Sequence, residues 1–203
     1  MEIPALEARQ DKFRAAKTVT LGISVDSIFS HANWGASVGG VSFPLLADFH
    51  PKGAVAQSFG LYNEERGITF RATVIIDAGG TIRHIEQVAS GRDMDALAEK
   101  CAAINAEHGA GAQGQPPAPG VSGDNVLYVR NGCGPSRSVM LARENLHLQD
   151  AVKLVNVSEK PQELGRLKDA TGAEQVPCLI RDGKPMLEAA DIVKHLSAQA
   201  TGM

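Results

Sequence analysis

Cysteine is scarce in this chain, which has 203 residues and three cysteines, Cys101, Cys133 and Cys178. An odd number of cysteines at unrelated spacings argues against a disulfide framework, and their pattern does not fit a zinc site. We therefore expect no metal site. The three cysteines are expected to have separate roles rather than to form one disulfide or metal-binding set.

Long apolar runs and basic runs are also missing. No segment approaches the roughly 18 apolar residues of a membrane span, and the charged N-terminus (Glu2, Glu7, Arg9, Asp11) lacks the apolar core of a signal peptide. The net charge of -3, without a basic patch, gives no electrostatic footprint for nucleic acid. We expect a cytoplasmic protein that binds neither membrane nor nucleic acid.

A candidate nucleophile follows a β-like run at residues 125–130. The run ends at an Asn-Gly turn, and Cys133 stands where a helix of good helix formers begins. A helix N-terminus carries partial positive charge, and Arg130 adds a nearby cation, so both favour a thiolate at this position. Cys133 is therefore the first candidate for chemistry.

The N-terminal half alternates helices and strands. The pattern predicts helices at 2–16, from 26 through Trp34, at 51–59 and at 94–106, and extended segments at 18–25, 41–46, 70–77 and 81–87. The segment at 18–25 reads as a buried central strand, and 70–77 with 81–87 reads as an antiparallel hairpin. This order is typical of a thioredoxin-like fold without its opening strand.

Three motifs in this half resemble the peroxiredoxin family of the alkyl hydroperoxide reductase type. They lie at residues 21–34, 43–48 and 67–77, in the family's order, and the resemblance covers residues 1 to about 106. It implies that Arg71 holds the peroxide and the attacking thiolate, supported by Glu2 and Arg92. A guanidinium suits this role because it is always charged and can form two parallel hydrogen bonds.

The family's nucleophile belongs to a P-x-x-x-T/S-x-x-C motif, which would lie just before Glu2. The sequence therefore predicts negligible peroxide reactivity for this chain, and exposed apolar surface in its first half. Cys101 is no substitute, because it shares an apolar helical face with Met94, Leu97 and Ile104, and we expect it in the core.

Residues 107–123 are rich in Gly and Pro and are predicted to be a linker. Residues 124–203 then give the order β-α-β-α-β-β-α, and they resemble glutaredoxins and the N-terminal domain of glutathione transferases. The predicted fold class is α/β, with two thioredoxin-like folds in tandem: an incomplete peroxiredoxin-like domain at 1–106 and a complete glutaredoxin-like domain at 124–203.

The second resemblance implies a site around Cys133 as the nucleophile. Arg130 would meet a glutathione carboxylate, Val176 and a cis Pro177 would pair with the tripeptide backbone, and Asp191 would meet the γ-glutamyl amine. Because Ser136 replaces the second cysteine of C-x-x-C, it can only donate a hydrogen bond to the thiolate, and a monothiol mechanism is expected. Cys178 either resolves Cys133 or turns into the core, and strand alternation favours the core.

These expectations combine into a thiol-disulfide oxidoreductase that uses glutathione as co-substrate, with no bound cofactor. Its partners would be glutathione, a peroxide or protein disulfide, and further copies of itself through the peroxiredoxin-like domain. Two alternatives stay open at this point. The chain could be a non-catalytic docking or dimerisation module, or its second domain could transfer glutathione to an electrophile.

Overall fold

The computed structural model describes residues 2–89, 91–110, 113–114 and 116–203. Contacts divide the chain into two compact units. Unit 1 consists of Met1–Trp34 and Phe43–Gln115, and unit 2 consists of Gly35–Ser42 and Pro116–Met203. Both are α/β. Within the described ranges, no helix is long and apolar enough to cross a membrane.

The N-terminal part of the chain contains five helices and six short strands among the described residues. In chain order they are α1 Glu2–Glu7, α2 Gln10–Ala15, β1 Gly22–Ser24, α3 Ile28–Ser37, β2 Leu45–Ala47, α4 Ala54–Ser58, β3 Tyr62–Asn63, β4 Ile68–Thr69, β5 Ala72–Ile76, β6 Ile82–Gln87 and α5 Met94–His108. The single helix predicted at 2–16 is two helices, because the backbone leaves helical conformation at Arg9, with φ −125° and ψ 16°.

The strands of unit 1 form three separate two-stranded ladders. β1 pairs with β2 in parallel, β3 with β4 and β5 with β6 antiparallel. The predicted hairpin of β5 and β6 is confirmed. The prediction of a long, buried central strand at 18–25 is wrong, since only Gly22–Ser24 is a strand and Ile23 is 43% exposed. The reason is that, among the described strands, β1 has a neighbour on one side only.

The core of unit 1 lies between α2, β5 and α5. It contains Phe13, Ala16, Ile75, Ala98 and Cys101. The N-terminus of α5 is capped, because the Asp93 carboxylate accepts hydrogen bonds from the first-turn N–H groups of Asp95 and Ala96. Cys101 is 5% exposed, so the prediction that it packs in the core is confirmed.

Unit 2 contains the complete predicted order of strands and helices. Its elements are β7 Asn125–Val129, α6 Gly134–Asn145, β8 Lys153–Asn156, α7 Glu163–Thr171, β9 Cys178–Arg181, β10 Lys184–Met186 and α8 Ala189–Thr201. They build a four-stranded sheet in the order β10-β9-β7-β8. The central strand β7 runs parallel to β8 and antiparallel to β9. Every helix and strand of the predicted β-α-β-α-β-β-α order is present.

The segment predicted as a linker contributes to both units at its ends. Helix α5 continues to His108, and the residues from Pro116 onward belong to unit 2. There the Gly120 N–H donates to the Gln199 carbonyl at 2.8 Å. Residues 111, 112 and 115 of this segment lie outside the described residues.

Candidate functional site

Cys133 stands at the N-cap of α6, where the sequence placed it. Its backbone is extended, with φ −93° and ψ 113°, and Pro135 follows within the first turn. The Arg137 N–H donates to the Cys133 carbonyl at 3.0 Å, so the helix begins directly at this residue. The side chain is half-buried. A thiol here faces the positive end of a twelve-residue helix, which stabilises negative charge.

The thiol of Cys133 lies against the segment that enters β9. Its Sγ is 3.9 Å from the carbonyl oxygen of Val176, and the Val176–Pro177 peptide bond is cis, as predicted. Pro177 is buried, whereas Val176 is half-buried. The structure therefore brings together three of the predicted site residues, Cys133, Val176 and Pro177. Cys133 and Val176 are 43 positions apart in sequence.

Ser136 makes a different hydrogen bond from the predicted one. Its side chain is fully buried, and its Oγ accepts the Arg130 N–H at 3.3 Å. Among the described residues, no hydrogen bond joins Ser136 Oγ to the Cys133 thiol; the Oγ hydrogen bond shown is the one that it accepts from Arg130. The reason is geometric: the first turn of α6 points Ser136 inward, toward the end of β7, while Cys133 stays at the surface. Ser136 thus ties α6 to β7.

A substitution at Ser136 separates these two roles. Ser136→Ala leaves the Arg130 N–H without its acceptor, and we expect the protein to lose about 1 kcal/mol of stability, measured by chemical denaturation followed by circular dichroism. The exposed Ser138→Ala, which removes only a bond to the Gly134 carbonyl, serves as the control and should have little effect. If Ser136 only supports the fold, the rate of glutathione adduct formation at Cys133 stays within about twofold; a larger loss would restore the thiolate-donor role.

The two charged residues predicted to bind glutathione are both exposed. Arg130 directly follows β7, and Asp191 lies in the first turn of α8. Sequence reasoning did not single out Glu188, the N-cap of α8, whose carboxylate accepts a 3.5 Å hydrogen bond from Gln175 Nε2. Gln175 directly precedes the cis peptide, so Glu188 is a third charged group near this segment. An acidic residue at the start of the last helix was the signal available in the sequence.

The other two cysteines are buried. Cys178 is 0% exposed and packs with Tyr128, Val155 and Leu167, so it turns into the core as strand alternation predicted. Burial raises the pKa of the Cys178 thiol and likewise raises the pKa of the Cys101 thiol. Both stay protonated at a pH where an ordinary cysteine begins to ionise, and thiolates are the reactive form.

Alkylation tests this difference. Iodoacetamide added to the native protein at pH 7 to 9 should modify Cys133 first, because Cys101 and Cys178 are buried and their raised pKa values keep thiolate scarce. Peptide mass spectrometry identifies the modified residue, and the same protein in denaturant, where all three thiols are accessible, is the control. Equal native labelling of Cys101 or Cys178 would contradict the assignment.

Unit 1 contains a second cluster, formed by Glu2, Arg71 and Arg92. One oxygen of the Glu2 carboxylate lies 3.0 Å from Arg92 Nη1 and 3.4 Å from Arg71 Nε, and its other oxygen accepts the Arg92 N–H at 2.9 Å. The structure therefore brings all three predicted residues together. The Arg71 side chain is 54% exposed, and that of Arg92 is 19% exposed. Arg71 is the cation of this cluster that a ligand can reach.

Arg92 is held by two groups that the sequence did not reveal. Its Nε donates to Thr73 Oγ1 at 2.8 Å, and its Nη2 donates to the Ala72 carbonyl at 2.7 Å. The planar guanidinium thus donates hydrogen bonds to a carboxylate, a hydroxyl and a backbone carbonyl at the same time. Arg92 positions Glu2, and Glu2 in turn contacts Arg71.

Two family profiles match this chain. Residues 1–85 match the AhpC/TSA family, and residues 127–202 match the glutathione S-transferase N-terminal domain. Alkyl hydroperoxide reductase E of Mycobacterium tuberculosis is 37% identical over 107 residues, which are 52% of this chain and 69% of that protein. The chloroplastic 2-Cys peroxiredoxin BAS1 of Arabidopsis thaliana is 35% identical over 102 residues, 46% of this chain and 38% of that protein.

Among solved structures, Mycobacterium bovis AhpC aligns with a TM-score of 0.47 and 28% identity. The alignment covers 53% of this chain and 61% of that one.

Proposed function

Because the chain belongs to the AhpC/TSA peroxiredoxin family and carries a second thioredoxin-like domain, we propose that it is a thiol-dependent oxidoreductase of peroxide metabolism that exchanges thiols with glutathione at Cys133. The observation that carries the proposal is the place of Cys133, at the N-cap of α6 and 3.9 Å from the carbonyl before a cis proline. This position offers a partly accessible sulfur, a positive helix end and an adjacent backbone to hold a peptide-like ligand.

The reaction at Cys133 would be a two-step exchange. The thiolate attacks the glutathione sulfur of a mixed disulfide, which forms a Cys133–glutathione disulfide and releases the substrate as a thiolate that takes up a proton. The thiolate of a second glutathione then attacks the sulfur of the bound glutathione, which frees the Cys133 thiolate and leaves glutathione disulfide. Each step breaks one disulfide bond and forms another. The substrate is released as a thiol, one free glutathione is oxidised, and the glutathione disulfide contains that molecule and the glutathione of the mixed disulfide, so electrons balance.

Glutathione would lie along the segment that precedes β9. Its backbone would pair with Val176 beside the cis Pro177, its carboxylate would meet Arg130 and its γ-glutamyl amine would meet Asp191. Electrostatics support the two end contacts, because each pairs an exposed side chain with a ligand group of opposite charge. No bound cofactor is required, since glutathione itself is the reductant.

Unit 1 would supply the link to peroxide. Arg71 would offer a half-exposed guanidinium, positioned by Glu2 and Arg92, to a peroxide oxygen. Joining such a unit to a glutathione-dependent one raises the effective concentration of reductase near its substrate to about the millimolar range. We include homo-oligomer formation in the proposal because unit 1 exposes large apolar side chains.

The proposal is tested by titrating the protein with oxidised glutathione. The expected result is one glutathione adduct, located on Cys133 by peptide mass spectrometry, and its release by reduced glutathione. Cys101→Ser is the matched control and should leave the adduct unchanged, because Cys101 is buried in unit 1. Adducts spread evenly over Cys101, Cys133 and Cys178 would contradict the proposal.

The profile match at residues 127–202 favours a second candidate function, the transfer of glutathione to an electrophile. In that reaction the glutathione thiolate attacks a carbon atom, and Cys133 forms no disulfide. Conjugation of glutathione to chlorodinitrobenzene distinguishes the two. Conjugation that survives Cys133→Ser would favour the transferase reading over thiol exchange.

A further inference from the structure

Units 1 and 2 end with the same succession of elements. In unit 2, the hairpin of β9 and β10 is followed by the long helix α8, and in unit 1 the hairpin of β5 and β6 is followed by α5. Strand β8 precedes the hairpin of unit 2, and β1 precedes the hairpin of unit 1. In unit 2, β7 lies between β8 and β9 and pairs with both. Among the described strands of unit 1, none pairs with both β1 and β5.

The proposed binding position is the place between β1 and β5 that corresponds to the place of β7 in unit 2. The backbone of β1 presents hydrogen-bonding groups on its edge away from β2. The Gly22 N–H donates to the Pro44 carbonyl at 2.9 Å, and the Ser24 carbonyl accepts the Asp48 N–H at 2.7 Å, so both residues point toward β2. Peptide groups of adjacent strand residues point to opposite edges. The N–H and carbonyl of Ile23 therefore face the edge of β1 away from β2.

The backbone of β5 shows the same alternation. The Arg71 carbonyl accepts the Val88 N–H at 2.8 Å. The backbone groups of Arg71, Thr73 and Ile75 therefore point toward β6. Val74 then presents its N–H and carbonyl to the other edge. Two residues nearer the start of β5, the Ala72 carbonyl already accepts a hydrogen bond from Arg92 Nη2. Arg92 thus closes one end of the open edge.

The side chains at this position are exposed, unlike their counterparts in unit 2. Leu21 is 52%, Ile23 43% and Ile76 49% exposed, whereas Val155 of β8 is 5% and Leu179 of β9 is 1% exposed. Of the fifteen large hydrophobic side chains that are exposed among the described residues, fourteen belong to unit 1. Unpaired backbone groups beside exposed apolar side chains are the features of a sheet edge that accepts another strand.

We propose that unit 1 binds an extended apolar segment of another polypeptide between β1 and β5, parallel to β1 and antiparallel to β5. This inference does not depend on the proposed function of Cys133. The polarity follows from unit 2, where β7 has these directions relative to β8 and β9. A segment so oriented ends at the Ala72 end of β5, beside the half-exposed guanidinium of Arg71. Its preferred chemistry is an apolar strand of about five residues with negative charge at its carboxyl end.

The probe is a fluorescent peptide with the sequence of residues 124–129, which fills the equivalent position in unit 2, and with a free terminal carboxylate. With the full chain we expect saturable binding by fluorescence anisotropy. Hydrogen–deuterium exchange should slow at Ile23 and Val74 when the peptide binds. A peptide extended to Arg130, which sets an arginine against Arg71, should bind about tenfold more weakly.

Two variants test the location. Ile23→Lys places a charge on the proposed binding position and should weaken the peptide about tenfold or more. Ile85→Lys is the matched control, since Ile85 on β6 has a similar exposure, 46%, outside that position, and it should change binding less than about twofold.

Three results would overturn the proposal. One is no binding at millimolar peptide. Another is slow exchange at Ile23 and Val74 in the protein alone, at any protein concentration, since the position would then be filled by the chain or by a second copy. The third is equal binding to both lysine variants. Exchange on the unsubstituted protein decides the matter if a variant fails to fold.

Discussion

Cys133→Ser is expected to lose more than about 99% of the deglutathionylation activity, because a serine hydroxyl is not a nucleophile toward disulfides at neutral pH and neither buried cysteine can replace it. The measurement follows the release of glutathione from a glutathionylated peptide, coupled to glutathione reductase. The variant should fold normally, since the Cys133 side chain is only half-buried and its hydrogen bond to the Val176 carbonyl is long, at 3.9 Å.

Cys178→Ser is the informative control for this result. If Cys178 resolved the Cys133–glutathione disulfide, its replacement would change the fate of the adduct. The buried place of Cys178 in the core of unit 2 predicts that adduct lifetime on Cys133 stays unchanged. Activity that persists in Cys133→Ser but disappears in Cys178→Ser would show that the wrong cysteine has been assigned.

The second large effect is expected at Arg92. Arg92→Ala removes three side-chain hydrogen bonds, to Glu2, Thr73 and Ala72, and leaves a largely buried carboxylate without its main partner. We expect a loss of about 2–3 kcal/mol in the stability of unit 1, discounted from a fully buried ion pair because Arg92 is 19% exposed. The protein has a single tryptophan, Trp34, within unit 1, so tryptophan fluorescence during chemical denaturation reports on this unit.

Arg71→Ala supplies the matched comparison. Arg71 touches the same carboxylate, but its side chain is 54% exposed and the contact is 3.4 Å, so the expected loss is below about 0.5 kcal/mol. Arg92→Lys should be nearly as unstable as Arg92→Ala, because an ammonium cannot reproduce the planar fork. Equal destabilisation by Arg71→Ala and Arg92→Ala would refute the distinction between a ligand-accessible arginine and a positioning one.

Much of unit 2 could be predicted from sequence because its signals are local. The Asn-Gly turn, the helix formers after Cys133 and the alternating strands each specify a nearby backbone conformation. The same local signals place Cys133 at a helix N-cap. The resemblance to glutaredoxins added the cis Pro177, which the structure shows.

Local signals misled where a partner strand or a side-chain direction mattered. The apolar run at 18–25 has the composition of a buried strand, yet Ile23 is exposed because burial requires neighbours on both sides of β1. Ser136 was expected to donate a hydrogen bond to the Cys133 thiolate. The first turn of α6 instead points its hydroxyl inward, where it accepts the Arg130 N–H.

The sequence by itself determined the order of helices and strands in unit 2, the helix-start position of Cys133 and the residue types of both clusters, because these follow from neighbours along the chain. Only the tertiary structure decided that Glu2 meets Arg92 across 90 residues, that Arg92 also donates to the Ala72 carbonyl, and that no described strand pairs with the second edges of β1 and β5. Those outcomes depend on which strands pair and which side chains face each other, and such long-range geometry is not contained in any local pattern of residues.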